Sequence, residues 1–150
     1  MNPKRALLPL AACIAMTSAI AQTVKPEDQI ELRQAAYTLM GYSFGGIAGM
    51  AQGKRPYSKD DAVRLADLLA QVAQVPKNFF GEGTDKGDTR AKPEIWAKRA
   101  DFDDKMSKML AEVAKLPAVT RTGDLDALKV QAKATGATCG ACHDDFRIKR

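Results

Sequence analysis

The residues best suited to chemistry lie near the end of the chain, in the pentad Cys139-Gly140-Ala141-Cys142-His143. In a C-x-x-C-H motif the two thiols can add across the vinyl groups of a haem, and the imidazole that follows can bind the iron. On a helix Cys142 follows Cys139 by one turn, and so does His143, so the three side chains leave the same face. The spacing therefore predicts a covalent c-type haem site.

Two other uses of a C-x-x-C sequence are a redox disulfide and half of a zinc site. Zinc would need two further Cys or His ligands, but His143 is the only histidine and the third cysteine, Cys13, lies in an N-terminal segment that we expect to be removed. A thioredoxin-like motif would be expected in a βαβ unit, whereas the sequence around Cys139 has a helical pattern. Haem attachment is the better interpretation.

The first 21 residues have the composition of a signal peptide. Lys4 and Arg5 form a basic start, residues 6–16 form an apolar run too short to span a bilayer, and Ala19-Ile20-Ala21 is an A-x-A cleavage site. We therefore expect a mature haem domain over residues 22–150. Export, and a pair of cysteines consumed by haem, fit the oxidising periplasm of a bacterium.

An alternative for the N-terminus is a lipoprotein signal, in which Cys13 of Leu10-Ala11-Ala12-Cys13 would be acylated. Against it, the apolar run continues past Cys13, and we favour the cleaved form without a membrane span. Cleavage would remove Lys4 and Arg5 and lower the formal net charge from +5 to +3. The remaining charges are interspersed, without the basic block or aromatic ladder that would indicate a nucleic-acid partner.

Four segments with helical periodicity follow, and Gly and Pro separate them. Helix starts are expected at Pro26-Glu27-Asp28, at Ser58 with its capping-box partner Asp61, at Pro93-Glu94, and after the cap Asp124. Pro76 and Pro117 are expected to end the second and third segments. The four apolar stripes comprise Ile30, Tyr37, Met40, Phe44 and Ile47; Leu65, Ala66, Leu69, Val72 and Ala73; Ile95, Phe102, Met106, Met109, Val113 and Leu116; and Leu125, Leu128, Ala132, Thr135, Cys139, Cys142 and Phe146.

The two haem cysteines thus lie on the stripe that should face the interior. No alternating strand pattern competes with these segments, so the sequence predicts an all-α fold, an antiparallel four-helix bundle with covalently bound haem c. The one long irregular stretch, residues 77–92, should have a function of its own. Phe79 and Phe80 at its start are apolar enough to cover a porphyrin edge.

The iron's second axial position cannot be taken by another histidine, since His143 is the only one. Methionine, lysine, tyrosine, an exogenous molecule or no ligand are the alternatives. The methionine candidates are Met40, Met50, Met106 and Met109, each of which also fits a hydrophobic seam. With one histidine, a distal His and Arg pair for peroxidase chemistry cannot be assembled, and we do not expect an enzyme.

Several motifs together resemble the cytochrome c′ family, the class II cytochromes c, over essentially the whole of residues 22–150. They are Arg33-Gln34-Ala35-Ala36-Tyr37-Thr38-Leu39-Met40, Phe80-Gly81, Gly83-Thr84, Gly87-Asp88, Pro93-Glu94-Ile95-Trp96 and Cys142-His143-Asp144-Asp145-Phe146-Arg147. The resemblance implies a four-helix bundle with five-coordinate, high-spin iron, and a homodimer packed through the first two helices.

The resemblance also assigns roles around the haem. Tyr37 takes the place of the side chain that crowds the distal face, and because a neutral phenol is a poor iron ligand, we expect it to act as a steric gate that admits NO or CO. Arg33 resembles the propionate partner, with Gln34 beside it and Asp88 reaching from the loop. Arg147 resembles the basic residue on the proximal side, although a surface arginine complementing the helix dipole is an equal alternative.

Three functional classes remain: an electron carrier, whose clearest form is low-spin with Met40 as sixth ligand; a protein that binds NO and CO at an open face; and a weak peroxidase, which the lone histidine argues against.

Overall fold

The structure is a computed structural model that describes residues 24–149. Both N-terminal predictions, the signal peptide over residues 1–21 and the alternative lipidation site Cys13, lie outside the described residues. The α-helices are α1 (Pro26–Ala51), α2 (Lys59–Val72), α3 (Glu94–Ala97), α4 (Arg99–Thr122) and α5 (Leu125–Phe146), with a short 3-10 helix at Pro76–Asn78. Residues 24–149 contain no strand beyond one isolated bridge, so the predicted all-α fold is confirmed.

The four long helices form an antiparallel bundle in which α1 packs against α2 and α5, and α4 packs against the same two helices. Lys105, near the start of α4, forms an ion pair with Asp145 at the end of α5. Lys59 at the start of α2 lies beside Gly123, which follows α4. Opposite ends of neighbouring helices therefore meet, as the predicted bundle requires.

The predicted caps of α2 and α5 are present. Ser58 accepts a hydrogen bond from the backbone N–H of Asp61 at 3.2 Å. Asp124 Oδ1 accepts from the N–H groups of Asp126 and Ala127 at 2.8 and 3.0 Å. These bonds satisfy backbone N–H donors that a helix start otherwise leaves without partners. The Asp124 cap marks the start of α5, the helix that carries the two cysteines.

The prediction that Pro117 ends the third segment is wrong, because α4 continues through it to Thr122. A proline inside a helix removes one backbone hydrogen bond, but Leu116 and Thr120 are both fully buried and keep the following turn packed on the bundle. The helix ends instead at Gly123, whose φ of 79° is left-handed, a conformation that glycine adopts without strain. The segment also has a break at Lys98 that separates α3 from α4.

Close approach of α1 and α2 depends on Gly46. A Cβ at this position would lie 2.6 Å from Leu65 Cδ1, so the buried Leu65 side chain would have to move to make room for it. α2 itself ends at Val72, before Pro76 is reached.

The long connection between α2 and α4 is tied to the end of α5. Ala91 and Arg147 form an antiparallel bridge. On either side of it the N–H of Lys92 donates to Phe146 O at 3.0 Å and the N–H of Ile148 donates to Arg90 O at 2.9 Å. No helix within residues 24–149 has the length and apolar character needed to cross a bilayer.

Candidate functional site

Cys139, Cys142 and His143 lie in the last two turns of α5 and line one cavity. Both cysteines are half-buried free thiols, while His143 is exposed. The shared face that the spacing predicted is therefore present. Within residues 24–149 no group of three His, Cys, Asp or Glu side chains is arranged to hold a metal ion.

The cavity has a volume of about 610 Å³ and is enclosed by all four long helices and by the loop before α3, residues 79–93. This size is within the range of sites that enclose a whole cofactor or drug-sized molecule. Its walls are mainly apolar, with polar groups contributed by α1, the loop and the end of α5. The lining residues are Arg33, Gln34, Tyr37, Thr38, Met40, Gly41 and Phe44 on α1; Leu69 on α2; Phe80, Asp88, Thr89, Arg90, Ala91 and Ile95 between α2 and α4; Phe102, Met106, Met109 and Val113 on α4; and Thr135, Cys139, Cys142, His143, Phe146 and Arg147 at α5.

Three buried phenylalanines in mutual contact form one wall of this cavity. Phe102 lies edge-on to both Phe80 and Phe146, with ring centroids 4.7 and 5.4 Å away. Such edge-to-face pairs add to the stability that burial gives each ring. Phe80 belongs to the loop, Phe102 to α4 and Phe146 to α5, so the wall joins three elements. Phe80 was predicted to pack on a porphyrin, and it lines the cavity as that requires; Phe79 does not.

Arg33 is buried, with 2% of its surface exposed, and its guanidinium is bonded to the loop. Nη1 donates to Phe79 O at 2.9 Å, and Nη2 donates to Thr84 O at 2.7 Å and to Thr89 Oγ1 at 2.6 Å. The guanidinium carbon also lies 4.7 Å from the centre of the Phe80 ring, a cation–π contact. Arg33 was expected to bind a haem propionate; in the structure its guanidinium hydrogen-bonds the loop and holds it against α1.

Two further residues expected at the haem edge also connect α1 to the loop. Gln34 Nε2 donates to the backbone oxygen of Asp88 at 2.6 Å. Both side chains line the cavity, and both are exposed, so they lie at its solvent side. The loop thus reaches the cavity as a fixed cover.

The imidazole of His143 has a cationic environment. Although His143 is exposed as a whole, the part of its ring that is removed from water lowers its pKa, and the nearby charges of Arg147 and Arg90 lower the pKa further. Arg147 Nη1 lies 3.5 Å from His143 Nδ1, one helical turn away as the sequence predicted. At neutral pH the ring is therefore uncharged, which is the form that binds a metal ion.

Burial raises the pKa of both Cys139 and Cys142, and for Cys142 the charge of Lys105 partly opposes the effect. Lys105 Nζ donates to the backbone oxygen of Ala141, inside the C-x-x-C turn, at 3.0 Å. Both cysteines are thus neutral thiols in a turn that α4 holds in place.

Tyr37 is half-buried in the cavity wall formed by α1, facing the two cysteines of α5. Burial raises the pKa of its phenol above the ordinary value, and the effect of the cysteines adds to this. The phenol is therefore neutral at physiological pH.

The four methionines considered as iron ligands are separated by the fold. Met40, Met106 and Met109 line the cavity, whereas Met50 does not. The sulfur of Met50 lies 3.5 Å from the backbone nitrogen of Ser58, where it packs between α1 and α2. Met50 is excluded as a ligand within the chain.

Thr89 and Arg90 line the cavity but were not predicted from the sequence. Arg90 donates from Nε and Nη2 to Ile148 O at 3.1 and 2.7 Å, so it reinforces the bridge beside His143. Because these residues lie in an irregular segment, periodicity gave no signal for them; their nearness to Asp88 was the only indication.

The residues present fit a haem. A large apolar cavity would hold the macrocycle, two thiols and an imidazole on one turn of α5 would bind its vinyl groups and iron, and Arg33, Gln34 and Arg147 at the polar side are of the type that binds carboxylates.

Comparison with known proteins finds relatives named cytochrome c' and relatives named cytochrome c-554. A family model described as Cytochrome C' matches residues 28–147. The cytochrome c' of Rubrivivax gelatinosus is 43% identical over 129 residues, which cover 85% of this chain and 100% of that protein. The crystal structure of cytochrome c' from the same organism matches with a TM-score of 0.80 and 42% identity, over 84% of this chain and 99% of that chain. A nitric oxide complex of a mutant of cytochrome c prime from Alcaligenes xylosoxidans matches with a TM-score of 0.78 and 36% identity, over 86% and 100% of the two chains.

Proposed function

The chain belongs to the cytochrome c′ family, and from that premise we propose that it is a periplasmic haem c protein with five-coordinate, high-spin iron that transfers electrons and binds NO and CO. Haem c, covalently held, is the cofactor of the family. When bound, it supplies an iron that accepts or gives one electron and has a position for a diatomic ligand.

Attachment is assigned to α5. Cys139 and Cys142 would form the thioethers and His143 would be the axial ligand, because all three line the same cavity and the imidazole is neutral. The bond of Lys105 to the Ala141 carbonyl holds this turn against α4. A covalently held group in a bundle of this size also contributes to its stability.

The observation that carries the proposal is Tyr37 in the same cavity as Cys139, Cys142 and His143. Its raised phenol pKa leaves it a neutral, bulky group rather than a ligand. Tyr37 would therefore act as a steric gate, and its hydroxyl could donate a hydrogen bond to a bound diatomic molecule.

The rim of the cavity would bind the propionates. Gln34 is exposed there and could donate to a propionate, Arg33 contributes a buried positive charge behind it, and Asp88, itself an anion, would contact the haem edge. Arg147, 3.5 Å from the His143 ring, would place its charge on the proximal side and favour the more electron-rich state of the site.

A low-spin electron carrier with Met40 as sixth ligand is the second candidate, and the observation that favours it is that Met40 lines the cavity with 9% of its surface exposed. Optical and electron paramagnetic resonance spectra of the purified protein test the two. High-spin spectra that change on addition of NO or CO are expected. A sulfur-to-iron charge-transfer band that disappears in Met40→Leu would support the low-spin carrier instead.

Assembly as a homodimer is also proposed. The outer face of α1 exposes three large apolar side chains, Leu32, Leu39 and Tyr42, which are 44%, 46% and 60% exposed. They follow one another at helical spacing and form an apolar stripe on the outer face of α1. A second copy of the chain would cover this stripe through α1 and α2.

A further inference from the structure

Gly41 occupies an unusual place in the wall of the cavity. It lines the cavity on α1, between Tyr37 and Phe44, which line it one turn to either side. Tyr37 and Phe44 are half-buried, whereas Gly41 is exposed to solvent. Gly41 is thus a point on α1 where the inside of the cavity and the surface of the molecule meet.

A side chain at Gly41 would meet no protein atom from beyond its own helical turns within 4 Å of its Cβ. The neighbouring part of the seam between α1 and α5 is closed, because a Cβ at Gly136 of α5 would lie 3.4 Å from Phe44 Cζ. At the other end of the seam Tyr37 faces Cys139 and Cys142. Between these two closed points Thr38 and Met40 also line the cavity, but Gly41 places no side chain there.

The backbone does not require glycine at this position. Gly41 is in the middle of α1, and its φ is not positive. A glycine inside a helix costs about 1 kcal/mol relative to alanine. Neither the backbone conformation nor a steric clash therefore explains why residue 41 is a glycine.

We propose that Gly41 forms the entrance through which diatomic ligands reach the cavity, and that its missing side chain sets the size limit of that entrance. The inference rests on the proposed function, since it concerns ligand entry to the same site. Tyr37 would limit the space beside the bound ligand, and Gly41 would limit passage to it. The two residues then have different effects: Tyr37 changes the affinity together with the association rate, whereas Gly41 changes the association and dissociation rates and leaves the affinity unchanged.

The test is the kinetics of CO binding to the ferrous holoprotein in Gly41→Leu. A side chain that narrows an entrance raises the barrier between the free and bound states and leaves their energies unchanged. Association and dissociation should both slow by about tenfold, equivalent to about 1.4 kcal/mol in the barrier. The equilibrium affinity for CO and the optical spectrum of the unliganded protein should stay as in the wild type.

Gly45→Leu is the matched control. Gly45 is also an exposed glycine of α1, and a Cβ added to it would likewise meet no atom from the rest of the protein within 4 Å. Unlike Gly41, it does not line the cavity. It should gain the same helix propensity and leave both rates unchanged.

If Gly41→Leu left the rates of CO association and dissociation unchanged, the inference would be wrong while the proposed function would still stand. Slower association with an equal loss of affinity, or an altered unliganded spectrum, would have the same consequence, since either would mean that residue 41 shapes the binding site rather than its entrance. A wild-type protein that binds neither CO nor NO would contradict the proposed function itself, and the inference with it.

Discussion

Arg33 Nη2 donates a 2.7 Å hydrogen bond to the backbone oxygen of Thr84, across 51 residues of sequence. Through this bond a buried guanidinium on α1 fixes the loop that covers the cavity. Trp96 Nε1 and Arg99 Nη1 donate to neighbouring loop carbonyls, Gly81 O and Phe80 O, each at 3.1 Å. The loop lacks regular structure, yet its backbone is held by side chains from both sides.

Arg33→Gln should destabilise the protein by about 2 to 3 kcal/mol, because it removes a charged donor and leaves buried carbonyls without partners. Arg33→Lys should recover only part of this loss, since lysine lacks the planar fork that reaches several acceptors. Urea denaturation measures the stability, and hydrogen exchange should show faster exchange in residues 79–89. Arg64→Gln, at an exposed arginine paired with Asp61, is the control and should leave the unfolding midpoint unchanged. Equal effects at both positions would contradict the role given to Arg33.

Covalent attachment predicts a simple pattern of masses. The denatured wild-type protein should be heavier than its polypeptide by one haem, and Cys139→Ala and Cys142→Ala should each retain haem through one thioether. The double variant should lose it on denaturation, while His143→Ala should keep the covalent haem and change only the iron coordination. Mass spectrometry and haem staining of denatured protein check this. Haem loss from the wild type would contradict the attachment site.

The steric gate at Tyr37 predicts a difference between two substitutions. Tyr37→Ala should speed association of CO and NO and raise the affinity, by about tenfold or more, because it removes bulk worth about 1.4 kcal/mol or more. Tyr37→Phe keeps the ring and should change the rates little, while the stretching frequency of bound CO should shift if the hydroxyl donates to it. Stopped-flow kinetics and infrared spectra give the two readouts. Rates that are the same in all three proteins would rule the gate out.

Tyr37 also predicts how stability depends on alkaline pH. Burial raises the pKa of its phenol above the ordinary value in the folded protein, so above about pH 10, where an ordinary phenol titrates, the unfolded chain loses this proton before the folded one does. The free energy of unfolding should therefore fall as the pH rises beyond that point. Denaturation of the wild type and Tyr37→Phe should show a steeper fall in the wild type; parallel curves would contradict the raised pKa.

The proposed dimer predicts that a charge in the apolar stripe of α1 will separate the copies. Leu39→Glu should give a monomer, because the carboxylate would have to be buried against the partner. Val130→Glu on α5 is the control: Val130 is 72% exposed, more than any residue of the stripe, and lies on another helix. Sedimentation velocity at a series of concentrations measures the association. A dimer that survives Leu39→Glu but not Val130→Glu would place the interface elsewhere.

The sequence by itself determined the helical class, the four long segments and the face that carries Cys139, Cys142 and His143. These features follow from local rules, since helical periodicity and caps such as Ser58 and Asp124 act within a few residues. The same local reasoning was wrong at Pro117, where burial of Leu116 and Thr120 in the bundle outweighs the lost backbone bond. A rule about single helices cannot include energy that comes from packing against another helix.

Only the tertiary structure decided what surrounds the cavity. The bonds from Arg33 to Thr84 and Thr89, the bridge between Ala91 and Arg147, and the exclusion of Met50 all depend on which segments meet in space. Contacts of that kind join residues far apart in the chain, where spacing carries no information. The place of Gly41 in the cavity wall likewise depends on how α1 packs against α5. The sequence shows a glycine there, but only the packed helices show that it lines the cavity and has open space around it.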